Sequence, residues 1–424
     1  MRFRAHLIGA SALLLLAIWL SSGTMAPYAS TWAFPIVSKP CGYLYNLDHP
    51  QHLAVFQMLD GQPREVWQGS FVLRRLLFPA IAYPAMKALG YEVGGFLVSL
   101  LAHVGALIAV ALFVRKRHGD GAAIAASWML ATYPGITYWA ALPYANAAIV
   151  PASCALFILL TLLDESARLR SVAWIAGAMG VLFTAYDLLP FFGVAAVIVL
   201  ARRRRWLALP VAALAMAVAP MLSWLVVTRV FHVPWSNRNT ELYGIVARAY
   251  LAPPGLGVWL RSIADFPVVL ALNYLFSNML FLPALFLIHV AITRLRLTLV
   301  EGAVAIAVAL VFLFNNLAPP YSDPYQMRGD YVPRLYQPVF IVFIVYVARV
   351  MGGLAALERA KAAIAATVFA LALLGNLTIT FGPIARVPWA GHIYQRFYFH
   401  AFVESMDTNL ARYGRRPLGF CDRK

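Results

Sequence analysis

Runs of about 20 apolar residues recur along the whole chain, which is the length of helix needed to cross a bilayer core. With 62% hydrophobic and only 12% charged residues among its 424, the chain is too apolar for a soluble domain. The runs predict about eleven transmembrane helices, near residues 5–22, 92–114, 122–140, 144–163, 171–186, 189–201, 207–231, 267–292, 298–318, 336–351 and 362–381. We therefore expect an all-α, polytopic integral membrane protein, with the fifth and sixth spans forming a bent hairpin around Tyr186 and Asp187.

The net charge of +17 does not indicate nucleic-acid binding, because the positive residues are divided among short loops instead of forming one patch. Four clusters lie in alternate, very short loops: Arg115–Arg117, Arg202–Arg205, Arg294 with Arg296, and Arg349 with Arg359 and Lys361. Such loops are typical of the cytoplasmic side, which predicts an internal N-terminus and an external C-terminus. The outer side still carries a positive surplus, for which lipid phosphate is the natural partner and plain headgroup contact the simpler alternative.

Polar material is concentrated in four segments on the predicted outer side: 23–91, 230–266, 319–335 and 382–424. We divide the chain into an N-terminal module, 1–205, which contains the first external loop, and a variable C-terminal module, 206–424. The first span is expected to be an uncleaved anchor, with a cleaved signal peptide as the alternative. Cys41 and Cys421 both fall on the outer side, where a disulfide bond between them is an open possibility, whereas Cys154 is expected to pack inside a span.

The first external loop holds the leading candidates for catalysis. Asp48 follows the first span directly, with Tyr45 nearby, and could accept a proton from an acceptor hydroxyl. Its alternative role is that of a turn residue before a proline. His49 and His52 could bind a divalent metal together with Asp48, but two histidines and one acid are a weak metal pattern. Solvated or substrate-contacting histidines are the expected reading, no cofactor is certain, and a divalent metal is a possibility.

The segment Trp67–Leu89 cannot be a simple membrane span, because basic residues interrupt it and Pro79 and Pro84 break helix continuity. It fits helices lying in the membrane interface with their basic side chains facing water. Arg74 or Arg75 could hold a lipid phosphate through bidentate hydrogen bonds. Contact with ordinary headgroups, or two short helices that merely lead into the next span, are the alternatives.

Further candidates lie elsewhere on the predicted outer side. Asp187, near the tip of the fifth and sixth spans, needs a partner such as an arginine or a substrate hydroxyl if it is buried. Arg328, Asp330 and Arg334 alternate with tyrosines in the late loop, where they could bind phosphate and sugar or form an aromatic belt. His103 and His289, inside spans, are expected to be hydrogen-bonded packing residues.

The chain resembles the GT-C superfamily of polytopic glycosyltransferases, which use polyprenyl-phosphate sugars. The likeness rests on an acidic residue in the first external loop followed by interfacial helices, and on the segments SFVLRRLLFPAIAYPAMKALGYEVGG, RKRHGDGAAIAASWMLATYPG and ATYPGITYWAALPYANA. It covers mainly residues 1–205. Many members carry two neighbouring acids, whereas His49 follows Asp48 here.

The resemblance implies an inverting sugar transfer on the external face of a membrane, which we expect to be a bacterial inner membrane. Asp48 would act as the general base, and the arginines would stabilise the departing polyprenyl phosphate. The implied partners are a polyprenyl-phosphate-linked sugar, a lipid or glycan acceptor, and membrane lipids. Two alternatives remain open: a glycan polymerase or ligase acting on undecaprenyl-linked chains, and a non-enzymatic lipid or polysaccharide transporter.

Overall fold

The computed structural model describes residues 2–25, 52–68, 70, 73, 75–133, 136, 140, 145–186, 189–233, 260, 281–317 and 340–381. Within these ranges the chain is helical, and no β-strand occurs. The helices are α1 (Arg2–Met25), α2 (52–59), α3 (Arg64–Trp67), α4 (Leu77–Leu89), α5 (Tyr91–Thr132), α6 (Ile149–Glu165), α7 (Leu169–Phe183), α8 (Phe191–Arg202), α9 (Ala208–Leu225), α10 (Phe281–Thr293), α11 (Leu299–Leu317), α12 (Phe340–Gly352) and α13 (Arg359–Phe381).

The chain is an all-α polytopic membrane protein, as the sequence predicts. In the described part, four helical stretches are long and apolar enough to cross a membrane: Arg2–Trp19, Val93–Thr132, Ala208–Val230 and Arg359–Thr378. Shorter apolar helices accompany them, and every predicted span overlaps one of the helices. The number of crossings stays a prediction.

A sharp break at Gly119 separates the second and third predicted spans. The backbone there has φ 84° and ψ 177° in the middle of α5, a conformation that glycine adopts without the penalty paid by other residues. Arg115 Nε donates to Asp120 Oδ1 at 2.7 Å across the break. The predicted loop between these two spans is therefore present as a tight helix–helix turn.

Contacts among the basic clusters place the predicted inner loops on one face. Arg117 pairs with Glu165 at 2.6 Å, and Arg203 pairs with Asp164 at 2.6 Å. The Arg115 guanidinium lies 4.6 Å from the centre of the Phe3 ring, so the N-terminus of α1 is on the same face. Gly352, at the end of α12, lies against Ala122 next to the α5 turn, which brings the Arg349 cluster to this face too. Its assignment to the cytoplasmic side stays a prediction.

The helices form one large apolar core in which α5 contacts α1, α4 and α12, while α7 packs along α9 and α8 along α11. The fifth and sixth predicted spans, α7 and α8, thus pack mainly against other helices, with a connection at 184–190. Cys154 is buried in this core, as predicted.

The close packing of α7 on α9 depends on Gly180, because a Cβ atom there would lie 2.5 Å from the Met216 carbonyl oxygen. Small residues allow such close approach of membrane helices. We expect Gly180→Ala to lower stability by about 1–3 kcal/mol, the usual cost of overpacking a tight contact. Thermal unfolding in detergent would measure the loss.

Gly177 provides the matched control, since it lies on the same helix and a Cβ there meets nothing within 4 Å. Gly177→Ala should be neutral or slightly stabilising, because alanine favours the helix. Equal unfolding temperatures for the two variants would contradict the proposed contact.

Candidate active site

Of the predicted site residues, the structure describes His52 and Arg75. The others lie outside the described residues: Tyr45, Asp48, His49, Arg74, Asp187, Arg328, Asp330 and Arg334. Cys41 and Cys421 also lie outside them. The described part of the first loop, residues 52–89, nevertheless fixes where the chain leads after Asp48.

The described residues between 52 and 76 pack on the end of α9. Their shared apolar cluster contains Ala54, Val55, Met58, Trp67 and Leu73 of the loop together with Val227 and Val233. Trp67 donates from Nε1 to the Gln62 carbonyl oxygen at 2.8 Å, and its ring meets Phe231 edge-on. Val227 and Val233 lie in and just after the π-helical turn Val226–Val230, which continues directly from α9. The described part of the first loop is therefore anchored on the end of α9.

His52 is only 4% exposed, so it is not a solvated histidine, and the other expectation, that it contacts substrate, stays a prediction. It lies in α2, whose neighbouring residues Ala54 and Val55 enter the apolar cluster with Val227. No group of three His, Cys, Asp or Glu side chains among the described residues is arranged to hold a metal. Asp48 and His49 are not among the described residues, so a metal at Asp48, His49 and His52 stays only a possibility.

Arg75 is buried, at 7% exposure, and its guanidinium carbon lies 4.3 Å from the centre of the Tyr186 ring. The expectation that the basic side chains of Trp67–Leu89 face water is therefore wrong for Arg75. A buried guanidinium needs compensation for lost hydration, and the face of an aromatic ring contributes about 2 kcal/mol when the pair is desolvated. Tyr186 is also buried, in the connection between α7 and α8. Arg75 thus lies beside Tyr186, in the connection that follows α7.

Within the segment Trp67–Leu89 the described helix is α4, which contains both prolines, while α3 ends at Trp67. Pro79 lies in the first turn, where no backbone N–H is needed, and Pro84 removes only one hydrogen bond. The expectation that the prolines break this helix is wrong, because packing compensates for the loss. At Gly94 of α5, a Cβ atom would lie 2.3 Å from the backbone of Ala85, so α4 is pressed tightly against α5.

A cluster around Asp60, which we call the Asp60 clasp, joins the start of the loop to α4. The Asp60 carboxylate accepts hydrogen bonds from Tyr83 Oη at 3.0 Å, from Gln62 at 3.2 Å and from Lys87 Nζ. These residues are not among the predicted site residues. Their signals were an Asp-Gly turn, with Gly61 at φ 73°, and the spacing of Tyr83 and Lys87 one helical turn apart. The clasp holds α2 and α3 beside α4, and with them the chain that follows Asp48.

The clasp should weaken in acid. The hydrogen bond from Lys87, followed by those from Gln62 and Tyr83, lowers the pKa of Asp60 below its ordinary value of 3.8. Folding therefore favours the ionised form of Asp60. The stabilisation that this gives the folded protein is present at neutral pH and is lost as pH falls through the pKa of Asp60 in the folded state. The pKa of Lys87 is raised by the same bond, so its contribution is lost only as pH rises through that higher value. We expect Asp60→Asn to lower the unfolding temperature at neutral pH and to have no effect in strong acid.

Thermal unfolding of both proteins across a pH series would measure this difference. Asp120→Asn provides a control, because Asp120 pairs with Arg115 at the exposed α5 turn. The clasp would be contradicted if wild type and Asp60→Asn had the same unfolding temperature at neutral pH. It would also be contradicted if the difference between their unfolding temperatures increased in acid.

No protein-family description and no curated protein sequence matches the chain. Among solved structures, the chain is similar to the crystal structure of ArnT from Cupriavidus metallidurans bound to undecaprenyl phosphate. The two share 14% sequence identity with a TM-score of 0.51, and the match covers 96% of this chain and 72% of that one. The predicted GT-C resemblance is confirmed at the level of the fold.

Proposed function

We propose that this chain is a membrane glycosyltransferase that moves a sugar from a polyprenyl-phosphate donor to a lipid or glycan acceptor. The observation that carries the proposal is the fold shared with ArnT, a GT-C glycosyltransferase with undecaprenyl phosphate bound, over 96% of the chain. Because a fold alone does not determine function, the proposal also needs a site with suitable chemistry. Arg75 supplies the described part of that site.

Arg75 suits the donor phosphate because a guanidinium binds phosphate oxygens with two parallel hydrogen bonds. Its stacking on Tyr186 fixes the plane of the guanidinium. Burial also strengthens its electrostatic effect on charge that develops on a leaving group. We propose that Arg75, with Arg74 and the late-loop Arg328 or Arg334, stabilises the phosphate, and that His52, His49, Tyr45, Asp187 and Asp330 line the substrate site.

In the proposed reaction, Asp48 removes a proton from the acceptor hydroxyl. The acceptor oxygen then attacks the anomeric carbon of the donor sugar as the bond from that carbon to the phosphate oxygen breaks. Polyprenyl phosphate leaves with the bonding electron pair, and the configuration at the anomeric carbon inverts. Because the donor is anchored in lipid, the reaction belongs at the membrane surface, and we place it on the external face of a bacterial inner membrane.

The ionisable groups that the described helices bury do not support a transporter. Glu301 pairs with Arg349 at 2.5 Å at the start of α11. His103 and His289 each form a hydrogen bond from Nδ1 with a carbonyl of their own helix, both at 2.7 Å, as expected of packing residues. Each of these three described residues is held by a contact within or between the helices.

The test compares surface glycans and polyprenyl lipids, by mass spectrometry, in the source organism and in a strain that lacks this gene. We expect the deletion to remove one sugar from a glycan or lipid and to accumulate the polyprenyl-phosphate form of that sugar. Complementation with the wild-type gene should reverse both changes. Loss of long glycan chains without a sugar-specific lipid intermediate would instead indicate a polymerase or ligase.

A further inference from the structure

Four arginines surround the joined inner ends of α6, α7 and α8, and we call them the arginine patch: Arg168, Arg170, Arg202 and Arg204. All four are exposed. Arg205 donates from Nη1 to the carbonyl oxygens of Leu163, at 3.1 Å, and Ser166, which fastens the 203–205 turn to the turn that precedes Arg168. The four side chains therefore belong to one surface.

The carboxylates at this surface are already paired with other arginines. Asp164 accepts two hydrogen bonds from Arg203, at 2.6 and 2.8 Å, and Glu165 pairs with Arg117. Within the part of the chain that the structure describes, no carboxylate pairs with any of the four patch arginines. The patch is thus a local surplus of positive charge after the acids nearby are accounted for.

Arg204 occupies a backbone position that favours glycine. Its φ is 56°, and the turn is a Schellman motif, with Arg204 N–H donating to the Ala201 carbonyl at 2.9 Å and Arg205 N–H to the Leu200 carbonyl at 3.0 Å. Glycine is the usual residue at this position, and a residue with a Cβ pays roughly 1–2 kcal/mol there. The chain therefore has an arginine at a position where glycine would stabilise the turn.

Two tryptophans beside the patch indicate that the patch lies at the level of the lipid headgroups. Trp174 is 71% exposed and Trp206 is 63% exposed, and tryptophan is enriched where a protein meets the headgroup layer. An exposed tryptophan next to unpaired arginines matches a lipid with apolar tails and an anionic headgroup.

We propose that the arginine patch is a binding surface for anionic phospholipid headgroups. The guanidinium groups would bind the lipid phosphate, and Trp174 and Trp206 would contact the glycerol and upper acyl region. This surface lies on the face opposite the proposed sugar transfer, and the proposal does not depend on that function.

The test measures binding of phosphatidylglycerol and phosphatidylcholine to the purified full-length protein by native mass spectrometry. We expect Arg204→Gly to weaken phosphatidylglycerol binding about fivefold, the effect of one arginine near an anionic lipid. Phosphatidylcholine binding should not change. The unfolding temperature of Arg204→Gly in phosphatidylcholine micelles should stay equal to that of wild type or rise, since glycine relieves the backbone strain. Arg168→Gln should also weaken phosphatidylglycerol binding.

Arg294→Gly is the matched control, because Arg294 also ends a helix with φ 52° on the same face but lies outside the patch. It should leave phosphatidylglycerol binding at the wild-type level. An equal loss in both glycine variants would attribute binding to total charge and overturn the proposal, as would unchanged binding in Arg204→Gly. Competition by inorganic phosphate at millimolar concentration would assign the patch to a soluble anion and would also overturn it.

Discussion

Asp48→Asn is expected to lower sugar transfer by about 10²–10⁴-fold, the usual contribution of a general base. Asparagine has nearly the same size as aspartate but cannot accept the proton of the acceptor hydroxyl, so donor binding should persist while the chemical step fails. The measurement is the rate of sugar transfer by purified protein in liposomes, with the polyprenyl-phosphate sugar that the deletion strain accumulates as donor.

Asp60→Asn is the matched control for this experiment, since both acids lie in the first loop and both substitutions remove one negative charge. Asp60 already accepts hydrogen bonds from Tyr83, Gln62 and Lys87, which identifies it as a positioning residue. We expect transfer by Asp60→Asn to fall only a few-fold. A wild-type rate of sugar transfer by Asp48→Asn would identify Asp48 as a turn residue before Pro50. Comparable losses of transfer in both variants would show that activity depends on the folded structure of the loop and not on a base at Asp48.

The sequence predicted the membrane fold well because long apolar helices satisfy their own backbone hydrogen bonds, so their position depends on local composition. Each predicted span overlaps a helix, and the break between the second and third spans falls at Gly119, inside a basic loop. Clusters of arginine likewise indicated which loops share a face, and the pairs Arg117–Glu165 and Arg203–Asp164 confirm it.

The site was harder to predict, because its contacts join residues far apart in the chain. Arg75 meets Tyr186, and Asp60 meets Lys87, and no periodic pattern records such pairs. A basic residue in an amphipathic segment usually faces water, which made burial of Arg75 unexpected. His52 was expected to be solvated or to contact substrate; it is buried where the loop folds against the end of α9, so only substrate contact stays a prediction. The helix-breaking tendency of Pro84 is likewise overcome by packing between α4 and α5.

Glu301→Gln is expected to destabilise the protein by about 3–5 kcal/mol, the usual cost of leaving one member of a buried ion pair without its partner. Glu301 is 1% exposed and accepts a hydrogen bond from Arg349 Nη1 at 2.5 Å. Glutamine can still cap α11, since Glu301 Oε2 accepts from the Thr298 N–H at 2.8 Å while Thr298 Oγ1 accepts from the Glu301 N–H. The loss should therefore come mainly from the uncompensated Arg349. Thermal unfolding in detergent measures it.

The double variant Glu301→Gln with Arg349→Met distinguishes the energy of the ion pair from the separate effects of the two side chains. Methionine replaces the stem of the arginine without its charge, so no buried charge remains, and removal of both partners of such a pair costs far less than removal of one. The double variant should therefore be more stable than Glu301→Gln alone, even though Arg349 also donates to the Arg296 carbonyl at 3.2 Å. Additive losses would show that the two side chains act independently, and the buried ion pair would then not be what joins α11 to α12 at this face.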